Sequence, residues 1–158
     1  MTDWSGGINF ECLMIYKLTY ESDACVPFEK LGVDAILASA RDHNKILNIT
    51  GCLVYHNGAF VQILEGEKEE VHKLFKSIEK DPRHANVRLV SEEYDKKRSF
   101  SNWNMTYFDT SLEGLSKSDI ENFERNLLML AEFSDRLSTT VNMFWLNVRK
   151  VMLNLKLA

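Results

Sequence analysis

A chain of 158 residues with 45% hydrophobic and 27% charged side chains has the size and make-up of one globular domain with a modest appendage. A net charge of −4, with no Lys/Arg run that offers a nucleic-acid footprint, argues against direct nucleic-acid binding, and no apolar stretch approaches the roughly 20 residues of a membrane-spanning helix. The three cysteines, Cys12, Cys25 and Cys52, have neither disulfide nor metal spacing, and the N-terminus lacks the features of a secretory signal, so a reduced, cytoplasmic setting is expected.

Residues 1–12 read as a polar, glycine-containing extension. From Leu13 to Tyr20, the residues Tyr16, Leu18 and Tyr20 alternate with Lys17 and Thr19, which is the period of a strand. Beyond Pro27, Val33, Ile36, Leu37 and Ala40 recur at helical spacing and predict an amphipathic helix with His43 and Asn44 at its C-terminal end. Two strands follow, Ile49 to Tyr55 and Phe60 to Glu65, around Asn57-Gly58, a pair that tolerates the positive φ of a tight hairpin. Residues 68–80 form a second amphipathic helix with Val71, Leu74, Phe75 and Ile78 as its stripe, stopped by Asp81-Pro82. Val87 to Tyr94 reads as a strand, residues 95–99 as a charged loop, and Trp103 to Phe108 as the last strand.

This order predicts an α+β sandwich in which two helices pack on one face of a sheet, a ferredoxin-like plan with one extra strand. After Thr110 the pattern is helical. Ser116 to Asp119 marks a start; Ile120, Phe123, Leu127, Leu130 and Ala131 give one apolar stripe; Val141, Phe144, Trp145, Val148, Val151 and Met152 give a second, with the joint at Ser138 to Thr140. The expected organisation is therefore an extension (1–12), a central domain (13–110) and a two-helix C-terminal hairpin (111–158). The apolar face of that hairpin either covers the sheet entirely or leaves part for an oligomer or partner contact.

The chain has no G-x-G-x-x-G and no phosphate loop, and its four histidines, at 43, 56, 72 and 84, show no zinc spacing. His56 and His72 read as surface or interfacial residues. Strand parity is more informative. Tyr20 shares a face with Tyr16 and Leu18, Gln62 with Phe60 and Leu64, and Met105 with Trp103 and Tyr107. A glutamine on an apolar face needs partners, because burying its amide unpaired costs roughly 1–3 kcal/mol. From the residues alone, Gln62 either bonds loose backbone or bridges groups of different type, since an amide both donates and accepts.

The segments Ile15-Tyr16-Lys17-Leu18-Thr19-Tyr20-Glu21-Ser22, His43-Asn44, Asn48-Ile49-Thr50-Gly51-Cys52-Leu53, Ala59-Phe60-Val61-Gln62-Ile63-Leu64-Glu65-Gly66, Asp81-Pro82-Arg83-His84 and Phe100-Ser101-Asn102-Trp103-Asn104-Met105 resemble, in order and spacing, the BLUF family of blue-light sensors. The resemblance covers Leu13 to Thr110. It implies a five-stranded mixed sheet with two helices on one face holding a flavin, FAD with FMN as the alternative. Tyr20 is implied as photochemical electron and proton donor, and Gln62 as the amide between it and the ring. Asn44 is implied to hold the ring's polar edge, with His43 beside the ring, Ile36 packed on it, and Asp81, Arg83 and His84 at the edge and tail. Trp103 and Met105 are implied as relays in the last strand. Ordinary readings stand beside these for the lesser sites: Trp103, Met105 and Ile36 as core, Arg83 as a solvated loop residue, His43 as a helix-end residue satisfying carbonyls. Ser77 departs from relatives with a longer polar or basic residue in this helix, and residues 1–13 precede the usual family start.

The function expected on this resemblance is a photoreceptor, not an enzyme, that reports light through a conformational or oligomeric change to a protein partner. The expected assembly is a homo-oligomer with an unidentified downstream protein and without nucleic acid or a transmembrane segment. The alternatives are a flavin-dependent redox protein and a ferredoxin-like interaction module without flavin.

Overall fold

The computed structural model describes residues 14–25, 33–101, 106–109, 125 and 138–152, with side chains described at 14–25, 38, 40–101, 125 and 138–151. Its elements are β1 (Ile15–Ala24), α1 (Val33–Ile46), β2 (Thr50–His56), β3 (Ala59–Gly66), α2 (Lys68–Lys80), β4 (His84–Asp95), β5 (Thr106–Asp109) and α3 (Thr139–Met152). The five strands form one sheet in the order β4-β1-β3-β2-β5. Three of the four pairings are antiparallel and β2–β5 is parallel, so the sheet is five-stranded and mixed, as the family resemblance implies.

The β2–β3 turn is made by Asn57 (φ 46°) and Gly58 (φ 80°), both in the left-handed region that a two-residue hairpin demands. At Gly51, a Cβ would stand 2.0 Å from the carbonyl oxygen of Ile63 on β3, so only glycine lets the two backbones approach there. Asn48, at φ 56°, reverses the chain after α1, and the Ile49 amide returns to the Asn44 carbonyl at 2.8 Å.

Two strands are longer than alternation suggests. β1 continues past Tyr20 to Ala24, and β4 begins at His84 instead of Val87, because Asp23 pairs with Ala85 and Ala24 with His84. The charges that hide this extension are paired in the fold: Glu21 accepts from Lys150 Nζ of α3 at 2.9 Å and from Arg88 Nε at 3.1 Å. Register shifts between Thr19/Tyr20 and Glu21/Asp23 interrupt the β1–β4 ladder, which also blurs the pattern.

Parity divides the core into two clusters. On one face Tyr16, Leu18, Tyr20, Leu53, Tyr55, Phe60 and Leu64 pack with Val71 and, partly buried, Leu74, Phe75 and Ile78 of α2. These are the α2 stripe residues expected from sequence. On the opposite face Cys52, Val54, Val61 and Ile63 pack with Phe100 and with Val141, Phe144 and Val148 of α3. The second C-terminal stripe therefore covers the back of the sheet, with Trp145 and Val151 partly buried and Leu146 left 56% exposed.

The joint expected at Ser138 to Thr140 coincides with the start of α3, and what precedes it lies outside the described residues. The Ser138 side chain accepts from the Val141 amide at 3.3 Å and its carbonyl from the Asn142 amide at 3.0 Å, the bonding of an N-cap. The Thr140 amide donates to Glu93 Oε1 at 2.8 Å, tying the helix start to β4. The expected start at Ser116 to Asp119 and the stripe from Ile120 to Ala131 lie outside the described residues, as do the extension 1–12 and the side chain of Met152.

Candidate functional site

The first face of the sheet carries a cleft of about 190 Å³, partly open to solvent. Five elements and the turn leading into the start of β4 build it. β1 supplies Tyr20, β2 supplies Leu53, and β3 supplies Phe60 and Gln62; α1 contributes Ala40, His43 and Asn44. α2 adds Leu74, Ser77 and Ile78, and the turn into β4 adds Asp81, Arg83 and His84.

The floor follows from register. Tyr20 and Gln62 are direct partners across β1 and β3, and Leu53 faces Gln62 from β2. The Tyr20 hydroxyl donates to Gln62 Oε1. Tyr20 is fully buried and Gln62 nearly so. From the back face, Thr19 Oγ1 donates to the Gln62 backbone carbonyl at 2.9 Å, so strand and side chain of Gln62 are both held by β1. Burial pushes the Tyr20 phenol far above its ordinary range, and the Asp81 charge adds to this, so the phenol is a protonated donor at neutral pH. Its ring packs on Phe75 of α2 at 5.4 Å between centroids.

The rim of the cleft is set by the way α2 ends. Asp81 is its C-cap, with its amide bonded to the Ile78 carbonyl at 3.0 Å, and Pro82 cannot continue the ladder. The Arg83 side chain folds back on Asp81, donating from Nε at 2.9 Å and also through Nη2, and its backbone amide bonds the same carboxylate at 2.9 Å. The guanidinium holds the Asp81 carboxyl below its usual range, and the carboxylate raises Arg83 in return. His84 Nδ1 lies 2.7 Å from Ser22 Oγ, and its ring packs against Phe60 at 4.8 Å. Burial lowers the His84 pKa, which favours the neutral imidazole.

Most residues singled out from sequence thus meet in one place: Tyr20, His43, Asn44, Gln62, Asp81, Arg83 and His84 all line the cleft. Asn44 is buried, while His43, one position earlier, is exposed at the helix end. Trp103 and Met105 lie outside the described residues, as does the side chain of Ile36. Ser22 was missed by sequence reasoning. Its signal was parity, since it follows Tyr20 by two positions on the same face. Ser77, read only as a departure, lines the cleft while donating to the Leu74 carbonyl at 2.7 Å. His72 is interfacial as expected, with Nε2 2.8 Å from the Tyr16 hydroxyl, and His56 bonds Asn57 beside the turn at 3.1 Å. Among the described residues no three His, Cys, Asp or Glu side chains are grouped to hold a metal ion.

The donor set suits a flat heteroaromatic ring. Leu53, Phe60, Leu74 and Ile78 offer apolar contact to ring faces, while Gln62 and Asn44 bring amides to a polar edge. The open side leaves room for a tail too large for the enclosed space. Fold and site together define an α+β domain with a ligand-sized cleft lined by two helices and a tyrosine–glutamine pair on its floor.

The comparisons agree. Residues 15–106 match the model of BLUF, sensors of blue-light using FAD, and the chain belongs to that family. The photoactivated adenylate cyclase subunit beta of Euglena longa is 41% identical over 90 residues, 56% of this chain and 10% of that protein. The chain thus spans about a tenth of the length of the cyclase subunits it matches. A structure of BlsA in its ground state superimposes with a TM-score of 0.60 at 33% identity, covering 88% of each chain. The BLUF domain of BlrP1 superimposes with a TM-score of 0.67 at 28% identity, covering 87% of this chain and 90% of that one. The protein is accordingly a flavin-binding member of a blue-light sensor family. No helix among the described residues is long and apolar enough to cross a membrane.

Proposed function

We propose that this chain is a photoreceptor in which light rearranges the hydrogen bonds joining Tyr20, Gln62 and a bound FAD, and that the change is passed to a protein partner through a shift of conformation or oligomeric state. The observation that carries the reading is the bond from the buried Tyr20 hydroxyl to Gln62 Oε1 on the floor of the cleft. When bound, the flavin supplies blue-light absorption and an electron-accepting ring.

The chain's residues supply position and a proton path. The Tyr20 phenol is held protonated by burial, so loss of an electron is favourable only if its proton leaves too. Gln62 Oε1 is hydrogen-bonded to that proton. An amide accepting at oxygen has its N–H pair to offer a second partner. Rotation or tautomerisation of Gln62 would exchange its donor and acceptor atoms and so change the hydrogen bond it offers a bound ring, which would shift absorption to the red. Asn44 would hold the ring's polar edge from the last turn of α1, with His43 beside it on the cleft lining. Asp81, Arg83 and His84 would meet the ring edge and tail, Ile36 would pack on the ring, and Trp103 and Met105 would relay the change toward β5. Because Arg83 is already neutralised by Asp81, its part is to shape the rim more than to attract phosphate. FMN is the alternative flavin; one relative, BlrP1, is described with FMN.

The flavin unit comprises residues 13–110, with 111–158 as an output element. The relatives' names speak of adenylate cyclase and of an antirepressor, which supports an output carried by other domains or chains, here an unidentified protein, and a homo-oligomer in the cytoplasm. The deciding measurement is the absorption spectrum of the purified, flavin-loaded chain before and after blue light. A reversible red shift is expected; a yellow protein whose spectrum does not move ends this reading, as does a colourless protein that takes up no flavin.

A further inference from the structure

Gln62 faces the cleft, and three residues later on β3 the Glu65 side chain enters the opposite side of the sheet, where it is fully buried. Four donors saturate its carboxylate. Oε1 accepts from the Phe100 amide at 2.8 Å and from Thr50 Oγ1 at 3.2 Å. Oε2 accepts from the Ser99 amide at 2.8 Å and from Lys17 Nζ at 3.1 Å. Lys17, also fully buried, spends its ammonium on Asp95 at 2.9 Å and Ser99 Oγ at 2.8 Å as well. Arg98 Nη1 closes the cluster on Thr50 Oγ1 at 2.9 Å and the Glu65 carbonyl at 3.0 Å.

This cluster does not touch the cleft. It connects two things. One is β3, the strand that carries Gln62. The other is the segment from Asp95 to Phe100, which belongs to no strand beyond Asp95 and leads toward β5. Phe100 in turn packs edge-on against Phe144 and beside Trp145 of α3, at 5.9 and 6.2 Å. A loop tied to a strand mainly by two amide bonds to one carboxylate must follow that carboxylate when the strand shifts. An apolar contact would slide.

We infer that Glu65 is the positioning residue that couples a displacement of β3 at Gln62 to the Ser99–Phe100 segment and, through Phe100, to α3. The inference rests on the photoreceptor reading given above. Glu65→Gln is the informative variant. It keeps the shape but turns one acceptor into a donor, which in either amide orientation faces a backbone N–H, that of Phe100 or of Ser99, while Lys17 retains Asp95 and Ser99 Oγ, so no charge is stranded.

The experiment is hydrogen–deuterium exchange of the flavin-loaded full chain, in darkness and under blue light, alongside the absorption spectrum. In the wild type, light is expected to raise exchange several-fold in residues 96–101 and at the start of α3. In E65Q the red shift is expected to persist, residues 96–101 to exchange rapidly already in darkness, and light to add little in α3. If E65Q does not fold, the K17M/E65Q double variant, which removes both buried charges, carries the same expectation. Wild-type dark protection of Ser99 and Phe100 in the variant, or a wild type that shifts its spectrum while these segments keep their dark exchange, overturns the coupling role and leaves the photoreceptor reading standing. A wild type with no red shift overturns both.

Discussion

The Tyr20–Gln62 pair is where single atoms matter most. Tyr20→Phe removes the proton and keeps the ring packed on Phe75. Flavin is expected to bind with an ordinary dark spectrum, and the light-induced red shift to vanish. Gln62→Ala is expected to silence the shift as well; an unaltered light-minus-dark spectrum in either variant removes that residue from the mechanism. His84 makes a pH prediction. Its folded pKa lies below that of the unfolded chain because burial disfavours the cation. The unfolded state therefore binds the extra proton first, and this contribution to stability is complete above the unfolded value of about 6.5 and lost as pH falls below it. Asp81, also lowered, acts in the same direction at more acidic pH. Melting temperature is expected to fall on acidification from pH 7 to 5.5, and less so in His84→Phe, which keeps a ring against Phe60.

At the scale of elements, β2 and β3 depend on Gly51. An alanine there would put its methyl 2.0 Å from the Ile63 carbonyl oxygen, a backbone atom that cannot swing away. Gly51→Ala is expected to lower stability by roughly 1–3 kcal/mol or more, the usual range for overpacking, readable as a lower denaturation midpoint. Since Gly51 pairs with Leu64 beside the Gln62 strand position, flavin occupancy is expected to fall with it. The ends of α1 and α2 matter for a different reason. Each ends by an abrupt stop, at Asn48 and at Asp81-Pro82, and each stop delivers polar residues to opposite sides of one cleft: Asn44 from the first, Asp81, Arg83 and His84 from the second.

For the molecule as a whole, the consequence is a sheet with two separately packed faces. The cofactor cleft opens on one, and α3 seals the other through Val141, Phe144 and Val148. Phe144→Ala is expected to cost about 3–5 kcal/mol, as truncation of a buried Phe does. The dark flavin spectrum is expected to be unchanged, because no cleft residue lies on that face; a displaced flavin spectrum in a folded F144A protein would show the two faces to be more tightly joined. Polar ties add to the packing at the β1–β4 edge, where Lys150 pairs with Glu21 and Thr140 bonds Glu93 and Ser91.

Local chemistry made much of this legible in advance. The Asn57-Gly58 hairpin, the helix stop at Asp81-Pro82, the α2 stripe and the shared face of Tyr16, Leu18 and Tyr20 follow from φ preferences and side-chain period, which act within a few residues. The grouping of Tyr20, Asn44 and Gln62 was implied instead by the resemblance of their motifs to the BLUF family, not by period or φ preference. The longer reach of β1 and β4 was hidden because Glu21 and Asp23 look like loop residues until Lys150, Arg88 and Asn86 come to meet them. The buried Lys17–Glu65 pair was hidden for the same reason: alternation placed both on the back of the sheet, but only the returning Asp95–Phe100 segment makes that position a tolerable one for charge. Periodicity is a property of neighbours along the chain; the partner of a buried charge arrives from far away in sequence, and nothing short of the folded packing says which one it is.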